Sequence, residues 1–388
     1  MTFSPEFRLT AACCRLDGPA RDAAVRAVAT EVHWDRLLQI VARHRVEGLV
    51  YAALAAARVA PPPDVAARLR EAATAIAAES LALAAESARL QAALDRAGLV
   101  NLVLKGAALD GLAWGRLGLK RAWDIDLLVL PDDAMAARGV LEATGYELGD
   151  PTDPGAAAFA IWVGLSKESA FRHRQTGRIV ELRWRLADAA GLLPDLSAAS
   201  PTQTASVAGA LTLRTLAEAE LIAYLCVHGA SHAWSRLKWL ADLGALLARR
   251  TEAERADLYA RAQDLGAGNT AALAFRLCAR LLDIPIPAAV GTEIAANRKA
   301  ARLETLALDA LDGGGATEIA ARRGFNDRIL LSQFLFADGW AFRLAELRRQ
   351  ATSLDDHMRL RLPPSLAFLY IPVRLPLWVW RRLGRRRT

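Results

Sequence analysis

The chain has 388 residues, of which 53% are hydrophobic, and a formal net charge of +7. This length allows two or three domains with a substantial core. Five arginines at positions 381, 382, 385, 386 and 387 supply most of the net charge. The rest of the chain is close to neutral, so the total charge does not by itself indicate a nucleic-acid partner.

Cysteine usage and the N-terminus indicate the cellular setting. The four cysteines form neither a spaced disulfide framework nor a zinc-binding pattern, which is typical of a reducing compartment. Glu6 and Arg8 lie where a secretory signal would need an apolar run. We therefore expect a cytoplasmic protein, and the high alanine content favours helices.

The first predicted elements, between about 32 and 97, are helices. Trp34, Leu37, Leu38 and Val41 have helical spacing, and three prolines at 61–63 predict a break. Residues 69–94 form an alanine-rich pattern that is typical of one long helix.

A short apolar strand and a glycine turn are predicted next. Residues 99–104 are mainly apolar, and Lys105 and Gly106 follow them before a helix-like stretch. In this arrangement the backbone N–H groups and the helix dipole favour an anion. Gly106 would let a phosphate approach the backbone closely, and Lys105 would add a positive charge.

Two aspartates interrupt the following apolar strand, which we predict at 122–130. Side chains alternate along a strand, so Asp124 and Asp126 share one face while Ile125 lies on the other. Paired carboxylates repel each other unless a cation lies between them. Because no Cys or His is nearby, the oxygen ligands favour Mg²⁺ or Mn²⁺, which also bind water and phosphate oxygens. The strand therefore predicts a site for a metal ion and a phosphate.

A third carboxylate lies further along the chain. After a predicted helix at 131–144, two strands are expected at 166–173 and 178–186, with a turn between them. Glu181, Arg183 and Arg185 share one face of the second strand. Two interpretations of Glu181 stay open: it completes a metal site with the two aspartates, or it forms an ion pair with one of the arginines.

Four segments together resemble a known family. They are Leu104-Lys105-Gly106, the run from Arg121 to Val129, Gly145-Tyr146, and the run from Val180 to Trp184. This pattern resembles the uncharacterised bacterial nucleotidyltransferase family of the DNA polymerase β superfold. The most specific motifs lie between about 99 and 186.

The resemblance implies a fold and an activity. The fold is α+β, with a small mixed β-sheet nucleotidyltransferase core flanked by largely helical N- and C-terminal regions. The activity is Mg²⁺- or Mn²⁺-dependent transfer of a nucleoside monophosphate from a nucleoside triphosphate such as ATP. The acceptor would be a hydroxyl-type group on a small molecule, a protein or an RNA.

By resemblance, the catalytic and metal-binding residues are Asp124, Asp126 and Glu181. By resemblance Gly106 would hold the triphosphate. The residue chemistry adds Lys105 and Arg121 as candidate phosphate clamps, and Arg183, His228 and His232 as further candidate nucleotide-binding residues. Two positions depart from the pattern: Ala107 stands where the superfold usually has Ser or Gly, and Arg183 stands where the family commonly has His.

Beyond a loop at 194–203 we predict helices up to the tail. His228 and His232 are four residues apart and so lie on one helical face. A zinc protease would need H-E-x-x-H, and Gly229 stands in place of the glutamate. Either this helix walls the active site and offers its imidazoles to a nucleobase or acceptor, or its side chains pack within the helical domain.

The tail at 365–388 is apolar at first and then arginine-rich. Pro372 and Pro376 interrupt the apolar part, which is shorter than the roughly 20 residues of a spanning helix. One interpretation packs it on the helical domain. The other is a peripheral anchor at the inner membrane surface, with Trp378 and Trp380 at headgroup depth.

We therefore expect four regions: a helical region at 1–97, the nucleotidyltransferase-like core at 98–190, a helical domain at 191–364, and the tail. Three classes of function follow. The first is a nucleotidyltransferase. The second is a catalytically inactive nucleotidyltransferase fold that binds nucleotides or acts as an adaptor. The third is a membrane-surface or nucleic-acid adaptor that acts through the tail.

Overall fold

A computed structural model describes residues 3–151, 155–189, 191–312, 317–322 and 324–351. The tail, with its packing and membrane-anchor interpretations, lies outside these residues. Within them the fold is α+β, with a small mixed sheet flanked by helices, as predicted. No helix in the described ranges combines the length and apolar character needed to cross a bilayer. The division into four regions stays a prediction.

Five helices precede the sheet: α1 (Pro5–Cys13), α2 (Pro19–Ala29), α3 (Trp34–His44), α4 (Glu47–Ala56) and α5 (Pro63–Arg96). Helix α5 begins with Pro63, because proline fits the first helical turn. Four of its buried residues follow at intervals of seven, which keeps them on one stripe: Leu69, Ile76, Leu83 and Leu90. This stripe packs against the helices of the first region and then against the sheet.

The central sheet has five strands, and three helices lie between them in the chain. The elements are β1 (Asn101–Val103), α6 (Ala107–Trp114), β2 (Asp124–Val129), α7 (Ala134–Ala143), β3 (Tyr146–Asp150), α8 (Ala156–Leu165), β4 (Glu168–His173) and β5 (Ile179–Arg183). The strand order is β1-β2-β5-β4-β3, with β2 and β5 parallel and the other neighbours antiparallel.

The two faces of the sheet have different roles. Alternate residues of β2 and β5 pack against α5 and α7 in a buried apolar cluster that includes Ile125, Leu127, Val180 and Leu182. The intervening residues point to the opposite face, where β2 carries its two aspartates. One face therefore holds the sheet in the core, and the other is available for chemistry.

The expectation that helices resume directly after Gln203 is wrong. A separate two-stranded sheet follows, formed by β6 (Thr202–Ala208) and β7 (Leu211–Leu216). The segment alternates buried and more exposed residues, with Ala205, Val207 and Leu213 turned into the core. This period of two is the pattern of a strand, but the polar residues of both strands make it hard to recognise in the sequence.

Helices complete the described chain: α9 (Glu218–Ser231), α10 (Leu237–Ala248), α11 (Glu252–Asp264), α12 (Gly268–Leu282), α13 (Ala288–Ala296), α14 (Arg298–Asp312), α15 (Phe325–Ser332) and α16 (Trp340–Ala351). Leu128 on β2 belongs to the large apolar cluster that contains residues of α9 and α10. These two helices therefore close over the aspartate-bearing side of the sheet.

Candidate active site

Three carboxylates meet on one face of the five-stranded sheet. Asp126 lies opposite Glu181 in the parallel pairing of β2 and β5, and Asp124 lies two residues earlier on the same face. One oxygen from each carboxylate lies within 4.8 Å of the others. No other group of His, Cys, Asp or Glu side chains in the described part of the chain forms such a cluster. An all-oxygen donor set of this size fits a hard divalent cation.

The two aspartates differ in their partners. Asp124 is partly exposed and, within the described ranges, its side chain makes no hydrogen bond or ion pair. Asp126 is buried, and its Oδ1 lies 3.1 Å from Lys105 Nζ and 2.9 Å from Arg183 Nε. Burial raises the pKa of Asp126, but the two cations outweigh it and lower the pKa to about 2. Asp126 is therefore ionised at neutral pH, and Asp124 is the carboxylate open to a ligand.

Glu181 shares Arg183 with Asp126. Arg183 Nη2 contacts Glu181 Oε2, while Nη1 lies 2.5 Å from Oε2 of Glu168 on the neighbouring strand. Burial raises the pKa of Glu181; Arg183 opposes this effect, and the surrounding carboxylates add to it. Glu181 thus belongs to the carboxylate cluster and also pairs with Arg183. Arg185 turns away and bonds to backbone carbonyls, including that of Gly164 at 3.1 Å.

The glycine turn lies beside this cluster. Gly106 is the N-cap of α6 and has a φ of +60°, a conformation that side chains rarely adopt. No atom lies within 4 Å of the position where a Cβ would stand, so the turn is open. The first N–H groups of α6 follow this turn, at the end of the helix that favours anions.

Comparison with known families decides the classification. A family model described as uncharacterised nucleotidyltransferase matches residues 30–283, which takes in every element of the site from α3 to α12. The chain belongs to this family. No curated protein matches the chain. The family and the acidic triad fit a nucleotidyltransferase that binds a nucleotide and a divalent metal.

In this family member, His228 of α9 lies beside Lys105, and His232 is the C-cap residue of the same helix. His228 Nε2 is 3.4 Å from Lys105 Nζ. Burial and the Lys105 charge hold the pKa of His228 well below its usual range, so its imidazole is neutral. His232 is more exposed, and its ring stacks on Trp239 with centroids 5.0 Å apart. The structure brings both imidazoles to the edge of the site and also packs them against aromatic rings.

Arg121 lines the same cleft as Gly106 and Asp124, and its guanidinium pairs with a glutamate of the N-terminal helices. Its Nη2 lies 2.8 Å from Glu47 Oε1, at the start of α4. The neighbouring Trp123 is 56% exposed, and the guanidinium carbon of Arg45 lies 5.3 Å from its ring centroid. Arg121 thus ties the aspartate strand to the N-terminal helices, and an exposed indole stands immediately before Asp124.

Sequence reasoning missed Lys238. Its Nζ donates to the backbone carbonyl of Arg121 at 3.2 Å, and its side chain lines the same cleft as Gly106 and Asp124. Burial and the nearby Arg45 lower the pKa of Lys238 to about 8. The only signal in the sequence was a single lysine among the apolar residues of α10, beside Trp239.

A buried ionic cluster below the cleft was also missed. Lys120 Nζ contacts Asp110 and lies 2.8 Å from Asp242 Oδ1, which also accepts a 2.8 Å hydrogen bond from Trp114 Nε1. All four side chains are buried. The cluster joins α6 to α10, so it positions the helix that begins at Gly106.

Two clefts meet at the carboxylates. The first is lined by residues that include Lys105, Gly106, Asp124, Asp126, Lys238 and Trp239. The second is lined by residues that include Trp162, Lys167, Glu168, Glu181 and Asp188. A reaction between ligands in the two clefts would take place at the triad.

Proposed function

We propose that the protein transfers a nucleoside monophosphate from a nucleoside triphosphate to a hydroxyl-type acceptor. One observation carries the proposal: three carboxylates lie within 4.8 Å of one another beside an open glycine turn, in a member of a nucleotidyltransferase family. Reactions of this kind depend mainly on positioning and charge stabilisation, for which this arrangement is suited.

The first cleft would take the donor nucleotide. Backbone N–H groups after Gly106 bind phosphate oxygens, and Lys238 supplies a cation at the same cleft. Trp239 and the neutral His232 ring offer flat surfaces for a nucleobase. Lys105, which is paired with Asp126, adds positive charge near the phosphates.

The second cleft would take the acceptor. Its hydroxyl oxygen forms a bond to the α-phosphorus as the bond from that phosphorus to the bridging oxygen breaks, and pyrophosphate leaves. The acceptor proton passes to Glu181, the triad carboxylate that lines this cleft. The acceptor is a small molecule, a protein or an RNA.

Asp124 and Asp126 would hold a divalent cation, and we favour Mg²⁺ or Mn²⁺ because all of the ligand atoms are oxygens. Such an ion neutralises charge on the triphosphate and on the leaving pyrophosphate. Nucleoside triphosphates, ATP among them, and Mg²⁺ are supplied in the cytoplasm, where we place the protein.

One observation favours a second candidate, a nucleotidyltransferase fold that binds nucleotides without turnover. Asp126 and Glu181 both pair with Arg183, which reduces the negative charge available for a metal. Under this alternative the first cleft still binds a nucleotide, but no group is transferred.

The test uses nucleoside triphosphates labelled at the α-phosphate. Each is incubated with Mg²⁺ or Mn²⁺, the wild-type protein, and small-molecule, protein and RNA fractions. We expect label in one acceptor class with wild type and none with Asp124→Asn. Nucleotide binding without transfer to any fraction would favour the inactive alternative. Equal labelling by Asp124→Asn would contradict the proposed roles.

A further inference from the structure

Arg183 occupies the centre of the acidic site. Its guanidinium contacts three carboxylates: Nε lies 2.9 Å from Asp126, Nη1 lies 2.5 Å from Glu168, and Nη2 contacts Glu181. All three directions of the planar guanidinium are therefore used. The contacts with Asp126 and Glu181 are charge-assisted hydrogen bonds, which are among the strongest in proteins, and the contact with Glu168 is an ion pair.

The arginine is held there by burial and by strand pairing. The side chains of Arg183 and Asp126 are only 5% and 3% exposed. Arg183 is the register partner of Glu168 on β4 and of Leu128 on β2, so the sheet fixes its position. Removing one member of a buried ion pair leaves an uncompensated charge, which makes displacement of the guanidinium costly.

A second side-chain cation contacts Asp126. Lys105 Nζ is 3.1 Å from the same Oδ1 that accepts from Arg183. A divalent cation bridging Asp126 and Glu181 would compete for the space that the guanidinium holds, and it would be repelled by both side-chain cations. Asp124 differs, because no ion pair in the described ranges engages it.

We propose that the site binds one divalent cation, on Asp124 and the remaining oxygen of Asp126, and that Arg183 takes the place of a second cation between Asp126 and Glu181. This inference rests on the proposed function, since that function requires the first cation. The guanidinium supplies a permanent positive charge on the acceptor side of the site. Unlike a metal ion, it cannot be removed by a chelator.

The experiment counts bound Mn²⁺ per chain. Wild-type protein is titrated with Mn²⁺ in the presence of a non-hydrolysable nucleoside triphosphate, and free Mn²⁺ is measured by electron paramagnetic resonance. We expect one Mn²⁺ in total per protein–nucleotide complex, the ion that Asp124 and Asp126 share with the triphosphate. Two ions per complex would overturn the inference and leave the proposed function intact. Absence of any Mn²⁺-dependent nucleotide binding would overturn both.

The variant Arg183→Gln tests the arginine directly. It opens the position between Asp126 and Glu181, and we expect a second Mn²⁺ to bind. A folded variant that still binds one ion would contradict the role of Arg183. Arg185→Gln is the matched control, because Arg185 is exposed and bonds to backbone carbonyls; it should keep one ion. If Arg183→Gln does not fold, the number of Mn²⁺ ions bound by the wild-type protein decides between one and two cations.

Discussion

Asp126 on β2 and Glu181 on β5 are direct register partners in the only parallel pairing within the described sheet. They are 55 positions apart in the chain, yet their carboxylates belong to one cluster. Side chains alternate between faces, so a slip of one residue would move Glu181 to the apolar face. The packing of Val180 and Leu182 in the core therefore keeps the third carboxylate in place.

The position of Glu181 leads to a first prediction. Glu181→Gln should lower the transfer rate by about a hundredfold, the order of magnitude of a lost general base. Its effect on nucleotide affinity should be small, because Glu181 lines the second cleft. The measurements are the transfer rate and the dissociation constant of the nucleotide. The control is Glu147→Gln, an exposed position on β3. A loss of nucleotide affinity as large as the loss of transfer rate would place Glu181 on the donor side instead.

Lys238 should make the protein less stable while it improves nucleotide binding. Its pKa is lowered from 10.5 to about 8, so below pH 8 the folded state holds a charge that burial opposes. Lys238→Met removes that charge and should raise the free energy of unfolding at pH 7 by about 1–3 kcal/mol, since one pKa unit corresponds to about 1.4 kcal/mol. The difference in unfolding free energy between Lys238→Met and wild type should shrink as the pH rises from 8 to 10.5, because the wild-type amine loses its proton there. Urea denaturation at several pH values measures it.

The same substitution should weaken nucleotide binding about tenfold, the typical effect of one lost charge-assisted hydrogen bond. Wild-type affinity should fall as pH rises above about 8, while the affinity of Lys238→Met should not show this step. Lys299→Met is the control, because Lys299 pairs with Asp338 outside the cleft. Unchanged affinity in Lys238→Met would remove Lys238 from the donor site.

Gly111 on α6 marks a close approach between two elements. A Cβ at this position would lie 2.3 Å from the carbonyl oxygen of Ser206 on β6. Gly111→Ala should therefore lower the free energy of unfolding by about 1–3 kcal/mol, as overpacking usually does. Gly139→Ala on α7 is the matched control, because no atom lies within 4 Å of its Cβ position; it should stabilise by about 0.5–1 kcal/mol. Thermal or urea denaturation compares them, and a fully stable Gly111→Ala would contradict the packing described.

Local patterns were enough to predict the aspartate strand and the Gly106 turn, and the family resemblance added the α+β class. Each depends on a short run in which charged or glycine residues interrupt an apolar segment, and family resemblance linked these runs. The β6–β7 hairpin was missed because polar residues such as Thr, Ser, Gln and Arg interrupt its strands, and a helical region follows it. Its period of two was visible but weak.

Ion-pair partners could not be predicted in the same way. Lys120 and Asp110 are ten positions apart, but Asp242 comes from a distant segment, and only the packing of α6 against α10 brings it to them. Likewise, the sequence left Glu181 with two interpretations, and the structure places it in the carboxylate cluster and also in an ion pair with Arg183. Lys238 belongs to no sequence motif, and only its position in the first cleft identifies it as a candidate site residue.

Metal-dependent nucleotide binding at Asp124 tests the central claim most directly. The four nucleoside triphosphates are titrated calorimetrically into wild type and Asp124→Asn, each with and without Mg²⁺, after circular dichroism has confirmed that both proteins are folded. We predict that wild type binds at least one nucleotide only with Mg²⁺ and that Asp124→Asn loses this binding. Folded wild type that binds none of the four, or a variant that binds equally well, would contradict the account.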